Sequence, residues 1–144
     1  MPLIKKIELN DGIVGLWEIS EPLEYFSKLI EKLASDTRFQ KITFEKRKIE
    51  FLAVRALLME LTGEFKEVKY KTDGAPFLAG DNHHISISHS KNLVAIIIHK
   101  NKAGIDVEIT GRPVAKIANK FISEEEIDAI YKSKVPLNKL SGIQ

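Results

Sequence analysis

The sequence contains no cysteine, which excludes disulfide bonds, thiolate metal sites and a cysteine nucleophile. Long apolar runs are also missing. The longest, Leu93 to Ile98, is far shorter than the roughly 20 residues of a membrane-spanning helix. The first residues hold no apolar run long enough for a signal peptide. We therefore expect a cytoplasmic protein.

An excess of charge of either sign is lacking as well. The 22 Lys and Arg residues nearly balance the 20 Asp and Glu residues, and a net charge of +2 gives no reason to expect a nucleic-acid or membrane partner. Basic residues do cluster at Lys46-Arg47-Lys48 and again from Lys66 to Lys71. Such clusters are typical of a solvated helix face and a solvated strand edge. The 144 residues suffice for one compact domain, or for one lobe and part of a second.

The first half of the chain alternates between strand and helix patterns. Residues Ile13 to Ile19 are apolar and β-prone, which predicts a strand. Ser20 and Pro22 are typical of a helix start, and apolar residues then recur at helical spacing. A second helix is expected from about Phe44 to Leu61, basic in its first half and apolar on nearly every side in its second.

After Gly63 the pattern becomes that of short strands separated by turns. The predicted strands are Val68–Tyr70, Phe77–Ala79, Ile85–Ser88, Leu93–His99 and Gly104–Ile109. A short helical segment is expected near Val114 to Lys120, and Ser123 with Glu126 matches a capping box at the start of another helix. The fold class expected is therefore α+β, with helices packed on a mainly antiparallel sheet.

Two carboxylates lie two residues apart in the last predicted strand. On a strand this spacing puts Asp106 and Glu108 on the same face. Mg²⁺ prefers hard oxygen ligands and usually takes one or two protein carboxylates together with substrate phosphates. An antiparallel sheet with one wet face produces the same alternation. The pair alone therefore leaves both interpretations open.

A histidine between two serines ends the predicted strand that begins at Ile85. His89, between the hydroxyls of Ser88 and Ser90, can donate to phosphate oxygens together with nearby backbone N–H groups. Alternatively, the segment is an ordinary turn in which the serines satisfy local backbone groups. The nearby His83 and His84 follow a turn signal and are interpreted as surface residues rather than zinc ligands.

The order of these motifs resembles that of a known enzyme family. Gly74-Ala75-Pro76 is followed by Ser88-His89-Ser90, then by Gly104-Ile105-Asp106-Val107-Glu108, then by Phe121 to Glu126. This order resembles the 4'-phosphopantetheinyl transferases of the surfactin-synthetase type, whose pattern runs GKP, FNxSHS, GxDxE, FxxxE and WxxKExxxK. The resemblance covers roughly Lys46 to Glu126.

The resemblance implies a reaction and roles for several residues. Enzymes of this family move the phosphopantetheine arm of coenzyme A to a serine hydroxyl of an apo acyl or peptidyl carrier protein, with Mg²⁺ as cofactor. Asp106 and Glu108 would hold the Mg²⁺ and form the catalytic centre. Ser88 and His89 would anchor phosphates of coenzyme A.

The remaining coenzyme A contacts implied by the family lie earlier in the chain. Gly74 and Pro76 would line the adenine-ribose pocket, and Lys46 and Arg47 would lie near the 3'-phosphate. The implied partners are coenzyme A and the carrier protein, without nucleic acid or membrane. The implied organisation is a transferase-like first lobe over residues 1–102 and the start of a second lobe over residues 103–144.

The sequence departs from the family pattern in ways that leave its activity open. Ala75 replaces the GKP lysine, and Ile85-Ser86 replaces the FN of FNxSHS. The WxxKExxxK segment would begin just after Lys139 to Ser141, but the sequence ends at Gln144, so an incomplete second lobe is expected. Without the rest of that lobe, the apolar face of the strand Gly104–Ile109 would lack its covering strands, unless a homo-oligomer covers it. An active transferase, a remnant that binds without turnover and an unrelated α+β domain remain as hypotheses.

Overall fold

The computed structural model describes residues 3–110, 112–119 and 122–128. Within them the chain forms nine strands and three α-helices, with a short 3₁₀ turn at Leu23–Phe26 before the first helix. The strands are β1 Leu3–Leu9, β2 Gly12–Glu18, β3 Val68–Tyr70, β4 Pro76–Leu78, β5 His84–Ser90, β6 Leu93–His99, β7 Ala103–Thr110, β8 Arg112–Asn119 and β9 Ile122–Asp128. The helices are α1 Ser27–Lys32, α2 Thr37–Gln40 and α3 Glu45–Thr62.

An antiparallel sheet in the order β1-β2-β6-β5 forms the centre of the described structure. Strand β6 is apolar on both faces, and all seven of its residues are buried. A strand buried on both sides separates two apolar layers. One layer includes Val94, Ile96 and Ile98, and the other includes Leu93, Ala95 and Ile97.

Helix α3 covers the first of these layers. Its side chains Leu52, Leu57 and Leu58 are fully buried against β2 and β6. Gly15 on β2 allows this close approach, because a Cβ there would lie 2.9 Å from both terminal carbons of Leu61. The helix ends at Gly63, whose φ of +82° is a left-handed conformation that glycine adopts without strain.

The hairpin of β3 and β4 is held to α3 through a buried arginine. Arg55 lies over the Phe51 ring at 3.5 Å from its centroid and donates to the Tyr70 hydroxyl at 3.1 Å. Arg38 stacks on the Tyr70 ring at 3.6 Å from the centroid. These contacts join α2, α3 and β3 and so position the hairpin that carries the Gly74-Ala75-Pro76 motif.

Strands β7, β8 and β9 form a separate antiparallel sheet, which corrects two predictions made from the sequence. Residues 114–119 form β8, not a helical segment, and Ser123 and Glu126 lie within β9, not in a capping box. Val114 and Ile117 are buried, and Ile117 joins the second apolar layer. Pairing with β7 therefore outweighs the local helix signals. The part of the helix predicted to start at Ser123 that falls beyond Asp128 lies outside the described residues.

The apolar face of β7 is covered within the chain. Ile105 and Val107 are 7% and 3% exposed and pack with Leu93, Ala95 and Ile97. The expectation that this face lacks cover is thus wrong, and the homo-oligomer that it suggested stays a prediction. The α+β class with mainly antiparallel sheets is confirmed. No helix in the described ranges has the length and apolar character needed to cross a membrane.

Candidate functional site

The Ser-His-Ser and Asp-x-Glu motifs meet at a seam between β5 and β7. Side chains alternate along β5, so Ile85 and Ile87 pack toward the layer covered by α3. Ser86 and Ser88 therefore lie on the opposite face of the strand. Ser86 Oγ accepts the backbone N–H of Ile105 at 3.2 Å. Ser88 Oγ accepts that of Val107 at 3.1 Å. The two serine hydroxyls thus provide hydrogen-bond acceptors for two backbone N–H groups of β7.

Ser88 makes a second contact across this seam. Its hydroxyl donates to Oδ1 of Asp106 at 3.1 Å. The bond joins residues 18 positions apart in the sequence and links the two motifs directly. Asp106 itself is exposed, so its carboxylate meets solvent beside β5.

Glu108 lies on the same strand face as Asp106, two residues further along β7. Its Oε1 lies 3.8 Å from Nζ of Lys116, a residue of β8 whose Cα is paired with that of Asp106. In the strand register, Lys116 is also paired with Glu126 of β9, so Asp106, Lys116 and Glu126 lie side by side on the three strands. The sequence pattern did not single out Lys116, because its proximity depends on the pairing of β7 with β8.

The carboxylate pair suits one type of magnesium site. Across the part of the chain that the structure describes, no group of three or more His, Asp or Glu side chains could hold a metal ion. Magnesium sites commonly use only one or two carboxylates, with substrate phosphates and water as the other ligands. Asp106 and Glu108 fit that type, although the Lys116 ammonium competes for Glu108.

A cationic groove of about 540 Å³ lies at the start of α3. It brings Lys46 and Arg47 together with His89. The groove also contains residues that the sequence pattern did not identify as site residues, namely Phe44, Glu50, Ser90 and Lys91. Of these, Glu50 pairs with His89, its Oε2 lying 3.7 Å from Nδ1 of the ring.

The helix start that forms this groove has no side-chain cap. Phe44 is the N-cap residue, makes no capping hydrogen bond and is 74% exposed. The first N–H groups of a helix are unsatisfied within the helix and carry partial positive charge. Together with Lys46, Arg47 and Lys91, they make the groove attractive to an anion.

A second groove of about 570 Å³ lies beside the Gly74-Ala75-Pro76 motif. Ala75 and Pro76 line it together with Ile85 of β5 and Lys102. Gly74 has a φ of +91° in the turn before β4, and a Cβ there would meet nothing within 4 Å. Gly74 therefore shapes the turn, while the two residues after it face the groove. The two grooves lie toward opposite ends of β5.

The turn before β5 is held by Asp81. Its Oδ1 accepts the backbone N–H of His83 at 2.8 Å and lies 2.7 Å from Nδ1 of the same residue. The pKa of Asp81 is lowered chiefly by the backbone hydrogen bond, with the His83 ring and the Lys66 ammonium adding to the effect. His83 and His84 are both exposed, in agreement with their interpretation as surface residues.

The structure brings the predicted residues into three neighbouring places. Ser88 and Asp106 are hydrogen-bonded, with Glu108 beside them. The residues Lys46, Arg47 and His89 share the cationic groove, and Pro76 lines the second groove. Phe121 of the fourth motif lies outside the described residues.

Comparisons with known proteins give no family assignment. No protein-family model, no curated protein and no solved structure matches the chain.

Proposed function

We propose that the chain binds coenzyme A with Mg²⁺ and transfers the 4'-phosphopantetheine arm to a serine of an apo carrier protein. The single observation that carries this proposal is the hydrogen bond between Ser88 and Asp106. It unites two motifs that occur in the same order in the 4'-phosphopantetheinyl transferases. The sheet with α3 would correspond to a transferase-like first lobe, and the β7–β9 sheet to part of a second.

The cationic groove supports the binding part of the proposal. Coenzyme A carries a pyrophosphate and a 3'-phosphate, so its binding requires donors and positive charge. His89, Lys46 and Arg47 supply both beside the uncapped start of α3. Toward the other end of β5, the groove at Pro76 offers a partly apolar surface for the adenine and ribose.

The proposed reaction is a displacement at phosphorus. The carrier serine oxygen forms a bond to the phosphorus that bears the pantetheine arm, and the bond from that phosphorus to the bridging pyrophosphate oxygen breaks. Adenosine 3',5'-bisphosphate leaves, and the serine proton passes to a base. When bound, Mg²⁺ would supply charge neutralisation at the phosphate oxygens. Asp106 and Glu108 would hold it, and the groove cations would orient the nucleotide.

A second candidate function is binding of coenzyme A or of the carrier protein without turnover. The close approach of Lys116 to Glu108 favours this alternative, because an ammonium at 3.8 Å competes with a metal ion for the carboxylate. The two functions share the same binding groove and differ in whether the carboxylates support catalysis.

One assay distinguishes the two functions. The protein is incubated with coenzyme A, Mg²⁺ and an apo carrier protein, and the carrier is examined by mass spectrometry for the gain of one phosphopantetheine group. We expect product with the wild type and none with Asp106→Asn. Asp11→Asn makes the same chemical change in an exposed turn and should leave product formation intact.

Thermal unfolding with coenzyme A tests binding separately. At a concentration of 100 times Kd, a ligand stabilises the native state by about 2.7 kcal/mol, which raises Tm by roughly 5–10 °C in a chain of this size. Arg47→Ala should reduce the rise, whereas Lys48→Ala removes the same charge from a residue that is not among those lining the groove. A rise in Tm without product would establish binding without turnover. The absence of both would contradict both the transfer reaction and the binding of coenzyme A.

A further inference from the structure

The hydroxyl of Ser88 is fully engaged by β7. It accepts from the N–H of Val107 and donates to Oδ1 of Asp106, both at 3.1 Å. A serine hydroxyl has a single proton to donate. With that proton directed at Asp106, Ser88 has no donor left for a phosphate oxygen.

The position of Ser88 relative to the grooves agrees with this bonding. His89 and Ser90 line the cationic groove, and Ile85, Ser86 and Ile87 line the groove beside Pro76. Ser88 lies between these stretches and is among the lining residues of neither groove. A ligand in either groove would therefore meet its neighbours along β5 rather than its hydroxyl.

We infer that Ser88 is a positioning residue, which acts by holding the Asp106 carboxylate rather than by binding a phosphate of coenzyme A. The terminal torsion of an aspartate is broad, so an exposed carboxylate samples many orientations unless a hydrogen bond restrains it. A donor at Oδ1 restrains that rotation and fixes where Oδ2 lies. Metal sites need ligand atoms held within about 0.5 Å of the productive geometry.

The inference rests on the proposed function for the identity of the cation, but the placement of the carboxylate does not depend on any ligand. Ser86 provides an internal comparison. It accepts the N–H of Ile105 from the same strand face and is not bonded to Asp106. Ser86→Ala and Ser88→Ala therefore each remove one acceptor from the edge of β7, and only Ser88→Ala also removes the donor to Asp106.

The first arm of the test uses the full chain without ligand. We expect Ser88→Ala to shift the carboxyl carbon resonance of Asp106 in NMR spectra and to speed amide exchange at Val107. Ser86→Ala should speed exchange at Ile105 and leave the Asp106 resonance in place. Ser88→Thr, which keeps the hydroxyl, should restore the wild-type resonance. An unchanged Asp106 resonance in Ser88→Ala would overturn the inference.

The second arm measures Mn²⁺ binding by electron paramagnetic resonance and coenzyme A binding in the presence of EDTA. Because groups that orient metal ligands contribute to metal affinity, Ser88→Ala should weaken Mn²⁺ binding about tenfold and leave metal-free coenzyme A binding close to that of the wild type. Ser86→Ala should leave Mn²⁺ binding unchanged, and Ser88→Thr should recover most of the Mn²⁺ affinity. If Ser88→Ala fails to fold, Ser88→Cys keeps the shape with a weaker donor and should give the same pattern.

The outcomes separate this inference from the proposed function. Weaker coenzyme A binding by Ser88→Ala in EDTA would mean that the hydroxyl anchors a phosphate, and would overturn the inference. An equal loss of Mn²⁺ affinity in Ser86→Ala would reduce Ser88 to a structural role and would overturn it as well. A wild type that binds neither Mn²⁺ nor coenzyme A, with the Asp106 resonance still dependent on Ser88, would contradict the proposed function alone.

Discussion

Lys5 on β1 buries its ammonium group without a hydrogen-bond partner among the residues that the structure describes. Burial lowers the pKa of Lys5 below its ordinary value of 10.5. Since an unsatisfied buried donor destabilises the native state, we expect Lys5→Met to raise the free energy of unfolding by about 1 kcal/mol at pH 7. Urea unfolding followed by circular dichroism measures this change.

The pH dependence of that gain follows from the direction of the shift. A lowered folded pKa means that the unfolded chain binds the proton more tightly, so the wild type gains stability as pH rises toward 10.5. The advantage of Lys5→Met should therefore shrink as the pH rises toward 10.5. Lys6→Met is the control, because Lys6 is exposed and pairs with Glu60 only at 3.6 Å. An equal gain in Lys6→Met would contradict the explanation.

Arg55 and Tyr70 allow a second prediction at the residue scale. Arg55 is 5% exposed, and the Tyr70 hydroxyl is one of its hydrogen-bond partners. Removing that partner leaves a buried cation less well satisfied, so Tyr70→Phe should cost about 1–3 kcal/mol. In an Arg55→Met background the same change should cost much less. A double-mutant cycle with no coupling between the two positions would contradict this expectation.

The pairing of Ser88 with Asp106 illustrates what residue patterns leave undetermined. The alternation of Ile85 to Ser88 correctly predicts a strand with isoleucines on one face and serines on the other. Which strand those serines face depends on how β7 lies against β5, a contact between segments far apart in sequence. Local periodicity carries no information on such a contact, so the bond to Asp106 could not be predicted.

At the scale of elements, the start of α3 combines poor capping with a candidate binding groove. Phe44 has the extended backbone of an N-cap residue but no side-chain oxygen to accept the free N–H groups. Phe44→Ser and Phe44→Asp should therefore each raise the free energy of unfolding by about 1 kcal/mol. Thermal and urea unfolding of the three proteins measure the gain.

The same two variants, Phe44→Ser and Phe44→Asp, should differ in their affinity for coenzyme A. Phe44→Asp places a negative charge beside Lys46 and Arg47, so at low ionic strength it should weaken binding more than Phe44→Ser does. The difference should narrow as salt is added, because exposed charges are screened. Equal binding by the two variants at low salt would indicate that the anion does not lie at this helix start.

Prediction from sequence succeeded for elements with strong local signals and failed for β8 and β9. The patterns for α3 and β6 are long and unmistakable, and the structure has both close to the expected bounds. The serine and glutamates from Ser123 to Glu126 form a good helix-start signature, but they lie in β9, whose pairing with β8 supplies the backbone hydrogen bonds. Tertiary pairing overrides such weak local preferences.

At the scale of the whole molecule, two apolar layers share one strand. Ile96 belongs to the layer beneath α3, and Ile97 belongs to the layer that includes β7. Ile96→Ala and Ile97→Ala should each cost about 2–5 kcal/mol. Strand β6 contributes residues to both layers, so both layers lose part of their packing when β6 unfolds. We therefore expect a single cooperative unfolding transition in each variant.

Two probes on opposite sides of β6 test this cooperativity. Trp17 fluorescence reports on the layer beneath α3, and methyl NMR signals of Ile105 report on the other layer. Coincident urea midpoints would agree with one folding unit. A separate, earlier loss of the Ile105 signals in Ile97→Ala would show that the layers unfold independently.

The alternation of β5 also has a consequence for the way this sequence can change over time. One face of the strand fills the core with Ile85 and Ile87, and the other presents Ser86 and Ser88 to β7. A one-residue insertion or deletion would exchange the two faces, with hydroxyls entering the core and isoleucines reaching the seam. Substitutions can adjust the candidate site one residue at a time, whereas a change in the length of β5 would damage fold and site in a single step.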